Sequence, residues 1–319
     1  MSYILPAIAL LVGELCLRHY HQLTMRRALP MELRAETRAL SWDDIKDKYR
    51  IVCLGDSITY GEDLPAQQAY PAVLDSLLSD STPDLPLIVI NSGIRGNTAV
   101  QGLERVERDV LWYKPHAVVI AFGWNDARLG YWPLDPLRER QMLGAGSPIQ
   151  KIDSLLQHSH LWLTVRARAR RALRRLGWTR DTVHISRQGE AQPRVSRQGF
   201  EIALSRLIRT IRARGCPNVI LLTTTPVSER FMEDAEPTWR AAQLAIYVEF
   251  NRVTRDVASS HNAPLVDLHE AWTRSADLSQ LVASDGIHLT AAGEHHLAVM
   301  LHQALVSQGV LETGPMLRR

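Results

Sequence analysis

The sequence predicts an α/β fold built on a doubly wound parallel sheet of five strands. Five apolar runs have the length and composition of strands, and a segment with helical periodicity follows each of them. Helices that alternate with strands cover both faces of a parallel sheet, and right-handed crossovers then favour a flavodoxin-like strand order. The five runs are Ile51–Leu54, Leu87–Ile90, Ala117–Ala121, Val219–Thr223 and Leu265–Asp267.

Apolar residues at intervals of three and four predict the helices between these strands. Ser196 is placed to cap the third helix, and Gly215 is placed to end it. The fourth helix is predicted to bury Leu244, Val248 and Val257 on one face. The apolar stripes cover residues 70–78, 100–110, 200–211 and 244–257, and a last helix begins at Thr290.

Length and composition predict one large domain with additions. The chain has 319 residues, of which 45% are apolar and 22% are charged, so it can bury a full core and is neither fibrous nor disordered. We divide it into an N-terminal segment and linker (1–49), a sheet domain (50–310) and a tail (311–319). Residues 127–195 interrupt the sheet domain with an insertion too long for an ordinary loop. We therefore predict a partly helical cap there.

The first two strands are each followed by residues suited to catalysis. Ser57 comes after Gly55 and Asp56, where its Oγ can face a cleft and a following helix N-terminus can stabilise negative charge. Gly93 and Gly96 follow the second strand and let backbone N–H groups approach an anionic oxygen. Both segments are also typical of ordinary turns and helix starts, so neither indicates catalysis by itself.

Two further segments of the chain also carry residues suited to catalysis. Asn125, after the third strand, can donate its side-chain amide to the same oxygen, although asparagine is also a common helix N-cap. Asp285 and His288 lie three residues apart just before the last helix. The carboxylate can hold the imidazole Nδ1–H and leave Nε2 free to take a proton from Ser57. The order Ser, Gly, Asn and Asp-x-x-His at the strand ends of one sheet is much rarer by chance than any single segment.

These segments resemble the motif blocks of the SGNH or GDSL hydrolases, a family named for its Ser, Gly, Asn and His on a flavodoxin-like sheet. The resemblance covers the whole core outside the insertion and implies the SGNH hydrolase fold. It implies that Ser57 is the nucleophile, that His288 is its base and that Asp285 orients the base. It also implies an oxyanion hole formed by the Ser57 backbone N–H, Gly96 and Asn125.

Four more residues belong to the same segments. Asp56 and Asp126 are expected to support them by accepting hydrogen bonds from backbone N–H groups, and Gly93 is a further supporting residue. The family often has glycine or another small residue where Trp124 stands, so we expect Trp124 to affect the shape of the substrate pocket.

The resemblance implies ester hydrolysis through an acyl-enzyme, on a small-molecule, lipid or carbohydrate ester. An O-acyltransferase that passes the acyl group to a sugar or lipid hydroxyl uses the same triad and stays open as an alternative. A non-catalytic flavodoxin-like binding module is a more distant alternative, because the first strand-to-helix turn lacks a Gly-x-Gly-x-x-Gly run.

Neither a cofactor nor a metal site is expected. Cys16, Cys53 and Cys216 have no Cys-x-x-Cys spacing, which argues against a disulfide framework and a structural zinc site. His295 and His296 are adjacent on a predicted helix and therefore face different directions.

The insertion has an unusual charge. The chain carries a net charge of +3, yet residues 127–195 alone hold 13 basic and 5 acidic residues. An amphipathic helix with an arginine-rich face is predicted within it, and this face either contacts anionic lipid head groups or is the solvated side of a cap helix. Nucleic acid is not expected, because the rest of the chain is acidic and no aromatic stacking platform accompanies the arginines. The arginines concerned are Arg166, Arg170, Arg171 and Arg174.

The N-terminal segment is apolar over residues 3–17 except for Glu14. It is shorter than the roughly 20 residues of a spanning helix, and it lacks the basic start and cleavage site of a signal peptide. We expect either a short or tilted membrane anchor or a helix docked on the domain of a soluble cytoplasmic protein. Arg18, Arg26 and Arg27 favour a cytoplasmic domain. In contrast, Glu14-x-x-x-Arg18 resembles the anchors of many bacterial envelope esterases.

Overall fold

Five segments of the chain pair in parallel to form the central sheet of the computed structural model, which describes residues 31–130, 138–139, 142, 192–228, 230–231, 233, 235–275 and 277–311. The strands are β1 (Tyr49–Gly55), β2 (Leu87–Gly93), β3 (Ala117–Ala121), β4 (Asn218–Leu222) and β5 (Leu265–Val266). Their order in the sheet is β2-β1-β3-β4-β5. The predicted five-stranded, flavodoxin-like parallel sheet is confirmed.

The register of the central strands brings their carboxyl ends level. Gly55, the last residue of β1, pairs with Gly93 of β2 and with Ala121 of β3. β1 and β3 are buried along their whole length, as expected for parallel strands that have helices on both faces. The loops that follow these three strands therefore meet at one edge of the sheet.

Helices follow the strands as the periodicity predicts. Ser196 accepts a hydrogen bond from the Gly199 N–H and caps the third long helix, and Gly215 follows its end in a left-handed conformation with φ of 89°. The helices are α1 (Ala35–Ala39), α2 (Trp42–Ile45), α3 (Ser57–Tyr60), α4 (Tyr70–Ser81), α5 (Ala99–Asp109), α6 (Arg197–Ala213), α7 (Pro237–Ser260), α8 (Leu268–Ser275), α9 (Leu278–Leu281) and α10 (Ala291–Ser307).

The buried face of α7 differs from the predicted one. Val248 is 54% exposed, whereas Gln243 and Asn251 are buried. Gln243 accepts from the Leu129 N–H at 2.7 Å and donates to the Ala127 carbonyl at 2.8 Å. The inner face of the helix therefore carries polar residues that bind backbone groups, and their presence masks the apolar periodicity.

Residues 31–48 pack against the sheet domain. Leu33 and Ile45 are fully buried. Arg34 donates to three backbone carbonyls at the end of α3 and in the turn that follows it. These contacts extend the packed unit upstream of residue 50, where the sequence analysis places the start of the domain.

The structure describes the two ends of the predicted insertion. Leu129–Gly130 pairs with Gln192–Pro193 in a short antiparallel ladder, so the chain leaves and re-enters the domain at one place. The four arginines of the predicted basic helix lie outside the described residues. The apolar segment 3–17 also lies outside them, and none of the helices that the structure describes is long and apolar enough to cross a bilayer.

Candidate active site

Ser57 is the first residue of α3 and lies directly after β1. The turn is tight because Gly55 has no side chain: a Cβ there would lie 2.0 Å from the Thr59 Oγ1 and 2.7 Å from the Ala121 carbonyl. Asp56 caps α3 by accepting from the Ile58 N–H at 3.0 Å. Strand, turn and cap thus fix Ser57 at the carboxyl edge of the sheet.

A hydrogen-bonded line joins Ser57 to His288 and Asp285. The Ser57 Oγ is 2.9 Å from the His288 Nε2, and the His288 Nδ1 binds the Asp285 Oδ2. The other carboxylate oxygen of Asp285 accepts from the backbone N–H groups of Ile287, at 2.9 Å, and of His288, at 3.0 Å. The structure therefore brings together the three side chains that the sequence analysis selects.

Electrostatics keep Asp285 ionised. Partial burial raises the pKa of Asp285, but the hydrogen bonds from Ile287 and His288 outweigh it and hold that pKa below its ordinary value. An ionised carboxylate only accepts hydrogen bonds, so the Nδ1 of His288 must carry the proton between them. The Nε2 then faces Ser57 as an acceptor, which is the arrangement that a general base needs.

The loop that carries Asp285 and His288 is closed by backbone pairing. Val282 and Leu289 form an antiparallel bridge, and the Ala283 N–H donates to the His288 carbonyl at 2.7 Å. Gly286 turns the loop with φ of 79°, a conformation that favours glycine. Both side chains are thereby held on a short, hydrogen-bonded turn just before α10.

Asn125 and Gly96 lie on neighbouring loops at the same edge. The Asn125 Nδ2 donates to the Asp56 Oδ2 at 3.1 Å, and Asp56 directly precedes Ser57 in the chain. Gly96 has φ of 70°, and a Cβ at this position would meet nothing within 4 Å. Its carbonyl accepts from the Arg194 Nη1 at 2.9 Å, and the same nitrogen lies 3.4 Å from the Asn125 Oδ1. One guanidinium therefore links the two predicted oxyanion donors.

Asp56 and Asp126 are buried and bind backbone N–H groups. Burial raises the pKa of Asp56 to about 6, against the hydrogen bonds from Ile58 and Asn125. Asp126 accepts from the Ala99 N–H at 2.8 Å, at the start of α5. Burial raises the pKa of Asp126 to about 8, against that bond and with a further contribution from the Asp56 charge. Each carboxyl connects two loops of the site.

Gly93 and Trp124 contribute to the packing around the site. A Cβ on Gly93 would lie 2.3 Å from the Tyr60 backbone nitrogen, so α3 rests directly on the end of β2. Trp124 is 5% exposed, and its ring contacts those of Tyr247 and Phe231 at centroid distances of 4.4 and 6.0 Å. It also lines a small cavity behind Asp56. Trp124 is therefore a core residue that lines this cavity.

Comparisons with known proteins agree with this geometry. A family model described as the GDSL-like lipase/acylhydrolase family matches residues 53–296. The chain belongs to this family. An acetylxylan esterase from Xylanibacter ruminicola is 23% identical over 269 residues, which is 82% of this chain and 44% of that protein. A thioesterase 1/protease 1/lysophospholipase L1 from Escherichia coli is 32% identical over 83 residues, 26% of this chain and 38% of that protein.

The fold comparison extends over more of the molecule. A lipase/acylhydrolase from Enterococcus faecalis superposes with a TM-score of 0.52 and 21% identity, covering 81% of this chain and 96% of that one. This chain spans less than half of the length of the two curated relatives. The family and the fold are therefore shared.

Two arginines of this GDSL-family site were missed by the sequence analysis. Arg105, on α5, is 6% exposed and donates to the Gly55 and Ser92 carbonyls, both at 2.8 Å, and to the Asn97 Oδ1 at 2.9 Å. It thus ties the ends of β1 and β2 to the loop that holds Gly96. Its pairing with an aspartate four residues later, beside an apolar stripe, is a signal that could have identified it.

The second arginine, Arg194, lies at the end of the insertion, and no local pattern in the sequence marks it. Its contacts depend on how the chain returns to the sheet after the insertion.

Over the described ranges, no group of three or more His, Cys, Asp or Glu residues is arranged to hold a metal ion.

Proposed function

We propose that this chain is a serine hydrolase that cleaves carboxylic esters, with Ser57 as nucleophile, His288 as general base and Asp285 as its orienting partner. The proposal rests on the hydrogen bonds that join Asp285 to His288 and His288 to Ser57, with 2.9 Å between the His288 Nε2 and the Ser57 Oγ. Membership of the GDSL-like lipase/acylhydrolase family supports ester chemistry at this serine.

The first half of the reaction forms an acyl-enzyme. The Ser57 Oγ attacks the ester carbonyl while its proton passes to the His288 Nε2, and the Asp285 carboxylate stabilises the imidazolium through Nδ1–H. The carbonyl oxygen becomes an oxyanion that accepts from the backbone N–H groups of Ser57 and Gly96 and from the Asn125 amide. His288 then gives its proton to the leaving alcohol.

The second half reverses these roles with water. His288 takes a proton from water as the water attacks the acyl carbonyl, and the same three donors stabilise the second oxyanion. Ser57 recovers its proton from His288 when the acid leaves. A sugar or lipid hydroxyl in place of water would make the same chain an O-acyltransferase.

We propose acetylated carbohydrates as the first substrate class to test. The relative from Xylanibacter ruminicola is named an acetylxylan esterase, and its similarity extends over 82% of this chain. The shorter similarity to the Escherichia coli thioesterase and lysophospholipase is the reason to include thioesters and lysophospholipids in the same panel.

The test compares the full chain with Ser57→Ala. We expect hydrolysis of p-nitrophenyl acetate and release of acetate from acetylated xylo-oligosaccharides by the full chain only, and fluorophosphonate labelling at Ser57. Ser284→Ala, at a second serine on the loop that carries the base, is the matched control and should keep full activity. Turnover and labelling that survive Ser57→Ala would exclude the proposal. Faster transfer of acetyl to an added sugar than to water would identify an acyltransferase instead.

A further inference from the structure

We propose that Arg194 is a positioning residue of the oxyanion hole, through which the end of the insertion supports the reaction. The inference rests on the proposed function, because it assigns a role to the surroundings of Gly96 and Asn125. Its basis is one nitrogen, the Arg194 Nη1, which lies 2.9 Å from the Gly96 carbonyl oxygen and 3.4 Å from the Asn125 Oδ1.

The backbone around Arg194 is fixed next to the residues that it contacts. The Arg194 N–H donates to the Arg128 carbonyl and the Val195 N–H donates to the Asp126 carbonyl, both at 3.1 Å. Val195 is buried in the core. The short ladder between Leu129–Gly130 and Gln192–Pro193 continues this pairing. The guanidinium thus extends from a backbone that is anchored to the segment holding Asn125.

Arg194 and Asp56 together select one orientation of the Asn125 amide. The Asn125 oxygen faces the guanidinium, and one Nδ2 hydrogen is donated to the Asp56 Oδ2 at 3.1 Å. An amide flipped by half a turn would set its NH₂ group against the guanidinium donors and its oxygen against a carboxylate. The observed orientation leaves the second Nδ2 hydrogen for the oxyanion.

The same guanidinium restrains Gly96. This residue has φ of 70°, and a Cβ there would point into open space, with no atom within 4 Å. Its carbonyl is held by Arg194, and Arg105 holds the next residue through the Asn97 Oδ1 at 2.9 Å. A donor that is fixed before the reaction costs no reorganisation when the oxyanion forms, so loss of this restraint should slow the chemical step.

The experiment measures kcat and KM for p-nitrophenyl acetate in Arg194→Ala, in Arg194→Lys and in the control Arg197→Ala. Values of kcat are taken per site labelled by fluorophosphonate, so that misfolded protein does not count. Arg197 lies three residues along the chain, has a side chain that is 46% exposed, and pairs with Glu249. We expect Arg194→Ala to lower kcat about 10- to 100-fold with little change in KM, Arg194→Lys to recover part of it, and Arg197→Ala to match the full chain.

A double-mutant cycle separates positioning from general destabilisation. If Arg194 acts through Asn125, Arg194→Ala should cost much less kcat in an Asn125→Ala background than in the full chain. Equal costs in both backgrounds would overturn the claim that Arg194 positions Asn125. An unchanged kcat in Arg194→Ala, while turnover still depends on Ser57, would overturn the whole inference and leave the proposed function intact. Turnover independent of Ser57 would overturn the proposed function and this inference with it. If Arg194→Ala does not fold, the cycle is run with Arg194→Lys.

Discussion

Each group proposed to react is held by a neighbour that does not react. Asp285 is fixed by two backbone N–H groups and holds the Nδ1 of His288. Asn125 is fixed by the Asp56 carboxylate and the Arg194 guanidinium. The reacting atoms can therefore keep their geometry before an ester arrives, and such preorganisation is the source of most electrostatic catalysis.

Asn125→Ala should lower kcat about 10²–10³-fold and change KM little, because one oxyanion donor acts mainly in the transition state. Steady-state kinetics with p-nitrophenyl acetate measures both constants. Asn218→Ala is the control: Asn218 begins β4 at the opposite edge of the sheet, where it donates to the His116 carbonyl. A similar loss of kcat in the two variants would show that the effect on Asn125 is structural.

The sequence is sufficient to select Ser57, Asn125 and the Asp285–His288 pair because each lies directly beside a strand end or a turn whose position follows from local pattern. Arg194 could not be found in this way. Its guanidinium meets Gly96, which is distant in the chain, only because the insertion returns beside the third strand. Such a contact depends on tertiary register, which periodicity does not contain.

At the scale of elements, α10 and α4 are joined by a buried carboxyl. Glu294 is 1% exposed and accepts from the Tyr70 N–H, at the start of α4, at 2.7 Å. The N-cap residue of α4, Ala69, has no side chain to do this. Burial raises the pKa of Glu294 to about 8, against the Tyr70 hydrogen bond and the charge of Arg34. A distant helix therefore supplies the cap that the local sequence lacks.

The pKa of Glu294 makes the stability of the fold depend on pH. Between its ordinary value of 4.5 and about 8, the folded chain keeps a proton on Glu294 that the unfolded chain releases. The free energy of unfolding should therefore fall as pH rises through this window, by at most about 1.4 kcal/mol per pH unit from this group. Below the window both states are protonated, so this group adds no slope and the stability is fully retained.

Glu294→Gln should flatten that pH dependence, since a glutamine can still accept from the Tyr70 N–H but does not titrate. Urea unfolding of both proteins across the window measures the two slopes, and the contributions of Asp56 and Asp126 cancel in their difference. Glu270→Gln, which removes a half-exposed carboxylate on α8, is the control for the loss of a negative charge. Parallel slopes for the full chain and Glu294→Gln would contradict the prediction.

Apolar periodicity predicts a helix or strand well when its inner face is apolar, and less well when polar residues are buried on that face. The strands and α4, α5 and α6 lie where the apolar pattern predicts them, and Thr290 caps α10 where the last helix is predicted to begin. On α7, Gln243 and Asn251 are buried, whereas Val248, which the apolar pattern assigns to the inner face, is exposed. Polar residues become buried when backbone groups need partners, and the sequence does not show which backbone groups those will be.

The central sheet brings distant parts of the chain to one edge. Ser57 follows β1, Asn125 follows β3, and His288 precedes α10, yet the register of the parallel strands sets their loops side by side. Alternating strands and helices suffice to predict this arrangement. What they do not predict is the packing of residues 31–48, because Arg34 binds carbonyls rather than forming part of a periodic face.

The contacts of residues 31–48 determine how removal of the N-terminal segment should affect stability and activity. Deletion of residues 1–30 leaves Leu33 and Arg34 in place, so we expect unchanged turnover of p-nitrophenyl acetate. Deletion of residues 1–40 also removes Thr37, which donates to the Asn91 carbonyl at 2.7 Å, and should destabilise the chain by several hydrogen bonds at about 1 kcal/mol each. Urea unfolding compares the two.

The same deletions test the membrane anchor predicted from residues 3–17. If residues 3–17 anchor the chain, the full chain should float with anionic vesicles, and the chain lacking residues 1–30 should lose most of that binding because its apolar segment is gone. Binding retained after the deletion and then lost when Arg166, Arg170, Arg171 and Arg174 are changed to glutamine would instead assign it to the basic insertion. If the full chain does not bind vesicles, both membrane predictions are wrong, and the apolar segment is then better explained as a helix docked on the domain.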